Sequence, residues 1–332
     1  MNDYGKIVLE QYDLEVRGVR KGRGCLICDT SEGIKKLQEY RSSRNHLELE
    51  QQVVLYLKEN SDLFVDCYVR NREGILYSVH PSQTVYVLKD WMEGSECSRS
   101  NPEELTIAVS VLARLHLLLR KFSLPENLGD KVNVLPPLSE EYEKHLREMK
   151  RVRRYVREKK KKNEFEQLMV RTCDAAIEQA EEASMKLQQS GYMEMYGRAA
   201  EHGWIYHGAF HYHNILFSGA KTMVINFEKC GVQVQLMDLY LFMRKVLEKN
   251  SWSPALGARM LEAYSRVIPL SDEEIRVLAI LFSYPEKYWK QMNFYYNKRK
   301  SWIPQHSLEK LQKAARQQEQ NREFVRTGLG YQ

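Results

Sequence analysis

The chain contains no long run of apolar residues, although 43% of its 332 residues are hydrophobic. A membrane-spanning helix needs about 20 consecutive apolar residues, so this sequence, with a mean hydropathy of −0.55, excludes one. The first residues also lack the charged-then-apolar order of a secretory signal peptide. We therefore expect synthesis in the cytoplasm and no membrane partner.

Cysteine is scarce and scattered, with six residues in the whole chain. The one close pair, Cys25 and Cys28, lies in a predicted strand, where its odd spacing directs the two thiols to opposite faces. No second pair follows that would complete a zinc site. The sequence therefore predicts buried free thiols rather than a metal centre.

The most informative stretch lacks an acid where a phosphotransferase needs one. Residues 207–217 read HGAFHYHNILF, and residues 224–228 read VINFE. A protein kinase catalytic loop reads H-x-D-x-x-x-x-N and is followed by D-F-G; the first Asp accepts a proton, and the Asn and second Asp hold Mg²⁺. Here Ala209 stands at the base position and Asn226 at the metal carboxylate, with Asn214 in place. Alanine accepts no proton, and asparagine offers a neutral oxygen where a metal site favours an anion.

The histidines of this stretch allow two interpretations. His207 occupies the position of the catalytic-loop histidine, but an ordinary strand–loop–strand with incidental histidines would read the same way. His211 and His213 have neither an HExxH motif nor a partner cluster. We predict packing or surface positions for these two, and Asn214 and Asn226 as the candidate metal ligands.

Six stretches resemble the CotS family of spore coat proteins, a branch of the aminoglycoside phosphotransferase and choline kinase superfamily. They are YVLKDWMEG (86–94), LARLH (112–116), HGxFHYHNIL (207–216), VINFEKC (224–230), DLYLFMRKVLEKNSW (238–252) and YPEKYWKQMNFYYNKRKSWIP (284–304). The resemblance implies HGD as the usual loop sequence and INF as a common form of the later site. Asn226 is therefore typical of the family, whereas Ala209 departs from it, by natural or engineered change.

The resemblance implies an α+β, protein-kinase-like fold of two lobes. A small antiparallel-sheet lobe would span residues 1–92 and end at a hinge. A large helical lobe would span residues 93–332 and carry the catalytic-loop-like hairpin at 204–228. The resemblance also implies that Asp238 anchors the backbone of the catalytic loop without taking part in the chemistry.

Two groups of residues are candidates for a nucleotide site. Gly22 and Gly24 lie in a turn that can bring backbone amides close to phosphates, although a bare hairpin would look the same. By resemblance, backbone groups near Asp90, Trp91 and Met92 would meet the edge of an adenine.

The phosphate-binding lysine of such a site is in doubt. In small-molecule kinases it often follows the pattern G-x-x-x-L-K, and here Gln38 falls on the lysine position. Lys36 shares a strand face with Gln38 and could substitute, but we predict Gln38 as a third degenerate position of the site. Glu50, on the inner face of the next predicted helix, is the candidate to pair with this lysine; with Gln38 at the lysine position it would need Lys36 or another hydrogen-bonding partner, and a solvated helix-edge glutamate is the alternative.

A basic run and a polar tail complete the sequence. Nine of the thirteen residues from 150 to 162 are Lys or Arg, which is typical of a solvated helix end. The absence of an aromatic stacking platform argues against nucleic acid, and docking to an acidic coat partner or polyphosphate is a comparable alternative. Residues 312–332 are polar and are expected to fray.

We therefore predict a spore coat protein on a kinase-like scaffold, degenerate in catalysis and acting by assembly with other coat proteins. Binding of ATP and Mg²⁺ should be weak or absent. The alternative is an ATP-dependent phosphotransferase for a small hydroxyl- or amino-bearing substrate, in which Ala209 replaces the catalytic Asp. A third hypothesis, nucleic-acid binding through residues 150–162, is the weakest.

Overall fold

The computed structural model describes residues 3–124, 134–297 and 305–331, and these form two compact units. The sheet unit comprises residues 3–98, 114–124 and 203–232; the helical unit comprises 99–113, 134–202, 233–297 and 305–331. The predicted lobe boundary at 92/93 is not tested by this division and stays a prediction. Within the described ranges, no helix is both long and apolar enough to cross a membrane.

The sheet unit is built on a six-stranded antiparallel sheet with the order β1-β2-β3-β7-β5, in which β6 also pairs with β7. The strands are β1 (Val16–Gly22), β2 (Cys25–Thr30), β3 (Gly33–Glu39), β5 (Tyr68–Val69), β6 (Ser78–Val79) and β7 (Val85–Asp90). Because side chains alternate along a strand, the sheet has two different faces. One face buries Leu26, Leu37 and Leu88 against helix α1 (Asp3–Leu9) and the Tyr12 that follows it. The other face carries Lys36 and Gln38.

A second sheet positions the loop of interest. Its order is β4-β11-β10-β8, with β4 (Phe64–Val65), β8 (Ser95–Glu96), β10 (Ile215–Ser218) and β11 (Lys221–Val224). Strand β4 runs parallel to β11, with Phe64 opposite Met223 and Val65 opposite Val224. Parallel pairing brings together the residues that follow the two strands, and these include Asp66 and Asn226.

Helix α2 (Arg44–Asn60) begins at Ser43, whose hydroxyl accepts from the backbone N–H of His46, a standard N-cap that satisfies a free helical donor. Its buried face includes Leu47, Glu50 and Leu57, as the period of its apolar residues predicts.

The sheet unit is completed by the short strands β9 (Ile205–Tyr206) and β12 (Gly231–Val232), which pair with each other.

Nine more α-helices lie in the described residues, and α3 has residues in both units. They are α3 (Pro102–Leu119), α4 (Leu138–Glu158), α5 (Glu164–Gln188), α6 (Tyr192–His202), α7 (Leu236–Leu247), α8 (Pro254–Ser265), α9 (Asp272–Ser283), α10 (Glu286–Asn297) and α11 (Gln305–Gly328). Aromatic rings fill much of the helical core; Tyr142 stacks on Tyr284 with 3.6 Å between ring centroids. Residues 298–304, part of a stretch that carries the family resemblance, lie outside the described residues.

The expectation that the chain frays after residue 312 is wrong. Residues up to Gly328 belong to helix α11, and Phe324 is fully buried there. Its ring fills the space over Gly257, where a Cβ atom would come within 2.4 Å of it. Six free cysteines, of which only Cys25 is not buried, match the predicted free thiols.

The basic run at 150–162 is partly neutralised within the chain. Arg153 and Arg157 bond Asp174 at 2.9 and 2.6 Å, and Lys159 bonds the buried Glu166 at 2.5 Å. Lys162 donates to two backbone carbonyls at the end of α4. Four cations of this run are exposed and have no partner among the described residues: Arg151, Arg154, Lys160 and Lys161.

Because only some of the lysines from 159 to 162 have a partner, we expect unequal effects on stability when they are replaced in pairs. Replacing Lys160 and Lys161 by Gln should change the free energy of unfolding by no more than about 0.5 kcal/mol, because exposed charges contribute little. Replacing Lys159 and Lys162 by Gln should cost about 1–2 kcal/mol, because Lys159 bonds a buried carboxylate. Urea unfolding of the two double variants measures the difference, and equal costs would contradict it.

Candidate active site

His207 fixes the loop that follows β9. It is fully buried, and its Nε2 lies 3.1 Å from the carbonyl oxygen of Ile225 while its Nδ1 accepts from the backbone N–H of Ala209 at 3.1 Å. One ring thus joins the loop to the segment that leads to Asn226. His207 is therefore a positioning residue.

Gly208 is required by the close approach of two backbones. Its φ is +73°, a conformation that favours glycine. A Cβ atom here would lie 2.0 Å from the carbonyl oxygen of Lys229. No other residue type fits this position without moving the loop.

A chain of amide hydrogen bonds joins the three positions that correspond to the kinase motif. Asn214 Nδ2 donates to the carbonyl oxygen of Ala209 at 2.9 Å, and Asn226 Nδ2 donates to Asn214 Oδ1 at 2.7 Å. Lys36 Nζ donates to Asn226 Oδ1 at 3.2 Å. Asn226 has φ +64°, a left-handed conformation that asparagine tolerates better than most residues. Both candidate metal-ligand oxygens therefore already accept a hydrogen bond.

Asp66 supports this series of hydrogen bonds from the protein interior, and it was not predicted from the sequence. Its carboxylate is fully buried, and its two oxygens accept from the backbone N–H of Asn226 at 3.1 and 3.2 Å. It also forms ion pairs with Lys36 at 3.6 Å and with Lys89 at 3.4 Å. A local signal existed, since Asp66 interrupts an apolar run between Val65 and Cys67.

The two lysines near Asp66 differ in their electrostatics. Burial lowers the pKa of Lys36, and this effect outweighs the attraction of Asp66. Burial acts on Lys89 as well, but the nearby carboxylates Asp66 and Glu50 outweigh it and raise the pKa of Lys89. The surroundings of Lys89 therefore favour its charged form, whereas burial of Lys36 disfavours its charged form.

Glu50 does not pair with Lys36. Its buried carboxylate accepts from the hydroxyls of Tyr40, at 2.7 Å, and of Tyr68. Burial raises the pKa of Glu50. The carboxylate that faces Lys36 is Asp66, because the parallel pairing of β4 and β11 brings Asp66 under the site while the two tyrosines satisfy Glu50.

An open cavity of about 760 Å³ lies over this network in the sheet unit. It is lined by the predicted residues Gly22, Lys36, Gln38, Trp91, Asn214 and Asn226. Gln38 bonds Glu228, whose backbone carbonyl lies 3.0 Å from His46 Nε2. The cations Arg20 and Arg23 also face the cavity, paired with Glu93 and Glu96.

The other predicted nucleotide residues lie outside the lining. Gly24, with φ +69°, forms the turn from β1 to β2, which also holds Gly22. Asp90 bonds Lys35 at 2.7 Å, and Met92 packs with Trp91 on the apolar cluster of the second sheet. Their roles towards a nucleotide stay predictions. So does the anchoring role of Asp238, which is fully buried in the first turn of α7 in the helical unit.

The donor set does not fit Mg²⁺, which favours carboxylate and water oxygens in an octahedron. The two amide oxygens at Asn214 and Asn226 are neutral and engaged. Asp66 is committed to two lysines and a backbone N–H. Across the described residues, no group of three or more His, Cys, Asp or Glu side chains is placed to hold a metal ion.

Solved structures with the same fold are small-molecule kinases. An aminoglycoside phosphotransferase from Alicyclobacillus acidocaldarius superposes with a TM-score of 0.82 at 18% identity, covering 96% of this chain and 93% of that chain. An amicoumacin kinase in complex with AMP-PNP, Ca²⁺ and Ami gives 0.61 at 13% identity, with 97% and 92% covered. A microcompartment-associated aminopropanol kinase gives 0.60 at 16% identity, with 97% of each chain covered.

These identities establish the fold alone, which is the predicted α+β, protein-kinase-like fold. Among curated proteins, no sequence matches the chain. A family model described as spore coat putative kinase YutH matches residues 5–327. The match agrees with the resemblance seen in the sequence, and the chain belongs to this spore coat kinase family.

Proposed function

We propose that this chain is a spore coat protein that uses a kinase scaffold without phosphoryl transfer and acts by assembly with other coat proteins. The observation that carries the proposal is the closed chain from Lys36 through Asn226 and Asn214 to the backbone of Ala209. These hydrogen bonds engage the asparagine side chains that a phosphotransferase would offer to a metal. They end at Ala209, whose side chain cannot act as a base.

Two requirements of phosphoryl transfer are unmet in this arrangement. A general base must accept the proton of the attacking hydroxyl, and the methyl group of Ala209 cannot. The charge that develops on the phosphoryl oxygens is normally neutralised by metal ions held by carboxylates. Here the nearest buried carboxylate, Asp66, is neutralised by Lys36 and Lys89 instead.

Nucleotide binding in the cavity, if it occurs, should be weak and independent of metal. Complexes with AMP-PNP and Ca²⁺, and with AMP, are known for structural relatives. Among the described residues, Lys36 is the cation that bonds the asparagine pair, through Asn226 Oδ1. A phosphate would have to compete with that bond.

The assembly role is consistent with the four free cations of the basic run. Arg151, Arg154, Lys160 and Lys161 are exposed and unpaired in the described part of the chain. We propose that they meet an acidic coat partner. Surface charges of one sign steer association with an oppositely charged surface.

A thermal shift with ATP tests the proposal. Binding to the folded state raises the melting temperature, and ligand at about a hundred times its dissociation constant stabilises by about 2.7 kcal/mol. With millimolar ATP, we expect a much smaller shift that does not change when Mg²⁺ is replaced by EDTA.

The matched control is Asn226→Asp, which adds one anionic oxygen to the same site. This variant should acquire a Mg²⁺-dependent shift, because a carboxylate supplies what the donor set lacks. A large shift of the parent that requires Mg²⁺ would show that the two asparagines suffice, and the active phosphotransferase would then be favoured.

That alternative has one observation in its support. The loop keeps the shape of a catalytic loop, with Gly208 in a left-handed conformation and His207 bonded to both arms. A loop that had lost its function long ago would be under less constraint to keep this shape. The alternative is therefore tested separately through position 209.

A further inference from the structure

A small cavity lies wholly within the helical unit. Its volume of about 30 Å³ suits one or two groups of the size of a water molecule. Its walls come from α5, α7, α10, α11 and the residues that follow α7 and α9. Two stretches that carry the family resemblance, 238–252 and 284–304, meet at this cavity, although the proposed function makes no use of them.

Five of the residues that line this cavity carry a buried polar atom without a partner among the described residues. Four are N–H donors, and one is an acceptor: Arg244 Nε, Trp252 Nε1, Gln318 Nε2, Asn321 Nδ2 and Gln179 Oε1. The exposed fractions of Arg244, Trp252 and Asn321 are 6%, 5% and 6%. A buried donor left unsatisfied costs its full desolvation, so the cavity requires an occupant.

The acidic side chains around the cavity are paired with other groups, so the unpartnered donors can bind an occupant. Glu248 is engaged by Arg244 Nη1 at 2.9 Å and lies 3.8 Å from Lys287 Nζ. Glu286 bonds Lys290 at 2.7 Å. The acids are therefore paired, while the Nε edge of the Arg244 guanidinium has no counter-charge of its own within hydrogen-bond distance.

We propose that this cavity binds one small monovalent anion of about the size of chloride. Among the unpartnered atoms of the lining residues, donors outnumber acceptors four to one, and the lining carboxylates of Glu248 and Glu286 are already paired. The occupant must therefore mainly accept hydrogen bonds, as an anion does. The guanidinium Nε of Arg244 and the indole Nε1 of Trp252 would be its principal ligands, and the amides of Gln318 and Asn321 would complete the shell.

The test compares the melting temperature of the full chain in sodium chloride and in sodium gluconate at equal ionic strength. Chloride should raise the melting temperature saturably, because it binds the folded state, and gluconate is too large to enter. Trp252→Phe keeps the ring and deletes the N–H. It should weaken the chloride dependence about tenfold or more, the usual effect of losing a hydrogen bond to a charged group.

Trp289→Phe is the matched control. Its indole N–H donates to Glu148 at 3.0 Å in the same unit but outside the cavity. This variant should keep the chloride dependence of the parent even where its melting temperature is lower. Equal melting temperatures of the parent in chloride and gluconate would overturn the proposal and leave water as the occupant.

Crystals grown in sodium bromide give a second measurement that does not depend on a variant. Bromide should produce an anomalous peak within contact distance of Arg244 Nε and Trp252 Nε1. The absence of a peak there would equally overturn the proposal. The anion site does not depend on the proposed function. Both measurements would give the same result whether or not the protein transfers phosphoryl groups.

Discussion

Asp66→Asn should lower the free energy of unfolding by about 3–5 kcal/mol, the usual cost of removing one partner from a buried ion pair. Asp66 is fully buried between Lys36 and Lys89, which are 4% and 0% exposed. Asparagine cannot neutralise either ammonium group. Its amide would also offer donors to neighbours that are themselves donors, including the backbone N–H of Asn226. Urea unfolding, with an unchanged slope, measures the loss.

Asp174→Asn is the matched control for this variant. Asp174 also bonds two cations, Arg153 at 2.9 Å and Arg157 at 2.6 Å, but its side chain is 45% exposed. An exposed pair contributes about 0–1 kcal/mol, so the two aspartates should differ several-fold in cost. Similar costs would mean that water reaches the Asp66 cluster.

A double variant separates charge from shape at the same site. In the Asp66→Asn background, Lys89→Met removes one of the two uncompensated buried cations and keeps most of the side-chain volume. It should recover part of the lost stability, because replacing both members of a buried pair by neutral groups is often well tolerated. Further destabilisation would contradict the electrostatic explanation.

Local periodicity predicted the parts of the site that depend on a single element. The alternation of β3 places Lys36 and Gln38 on one face, and both line the cavity. The apolar period of α2 places Glu50 with Leu47 and Leu57 on its buried face. In each case, the pattern needs no information from distant residues.

Asp66 could not be placed in the same way, because its role depends on pairing between distant segments. It lies 160 residues before Asn226 in the chain, and only the parallel pairing of β4 with β11 joins them. For the same reason, the sequence leaves the partner of Glu50 open between Lys36 and another hydrogen-bonding group. A buried carboxylate needs a partner, but the sequence does not say which of several buried donors it meets.

The C-terminal helix shows how composition misleads when polar residues are buried. Residues from 312 onward look solvated, yet Gln317 and Asn321 are 9% and 6% exposed. Gln317 accepts from Lys287 and donates to the backbone carbonyl of Glu248. Polar side chains can be buried where a distant partner satisfies them, and the sequence alone does not name that partner.

The change at position 209 separates the scaffold from a damaged enzyme. Ala209→Asp should fold, because the backbone N–H and carbonyl of Ala209 already bond His207 and Asn214 whatever the side chain is. If the chain were an enzyme that lacked only its base, this one change should raise ATP turnover by about 10² to 10⁴. We expect no increase over the parent, since the Lys36–Asn226–Asn214 chain still provides no metal site.

Ala209→Asn is the control for that assay, because it has the shape of aspartate without its charge. The triple change Gln38→Lys, Ala209→Asp and Asn226→Asp restores a lysine, a base and a metal carboxylate together. Turnover in the triple variant alone would mean that the losses are cumulative and that the fold still supports the chemistry. Turnover in Ala209→Asp alone, above both the parent and Ala209→Asn, would overturn the scaffold proposal, because restoring a single proton acceptor would then be enough for catalysis.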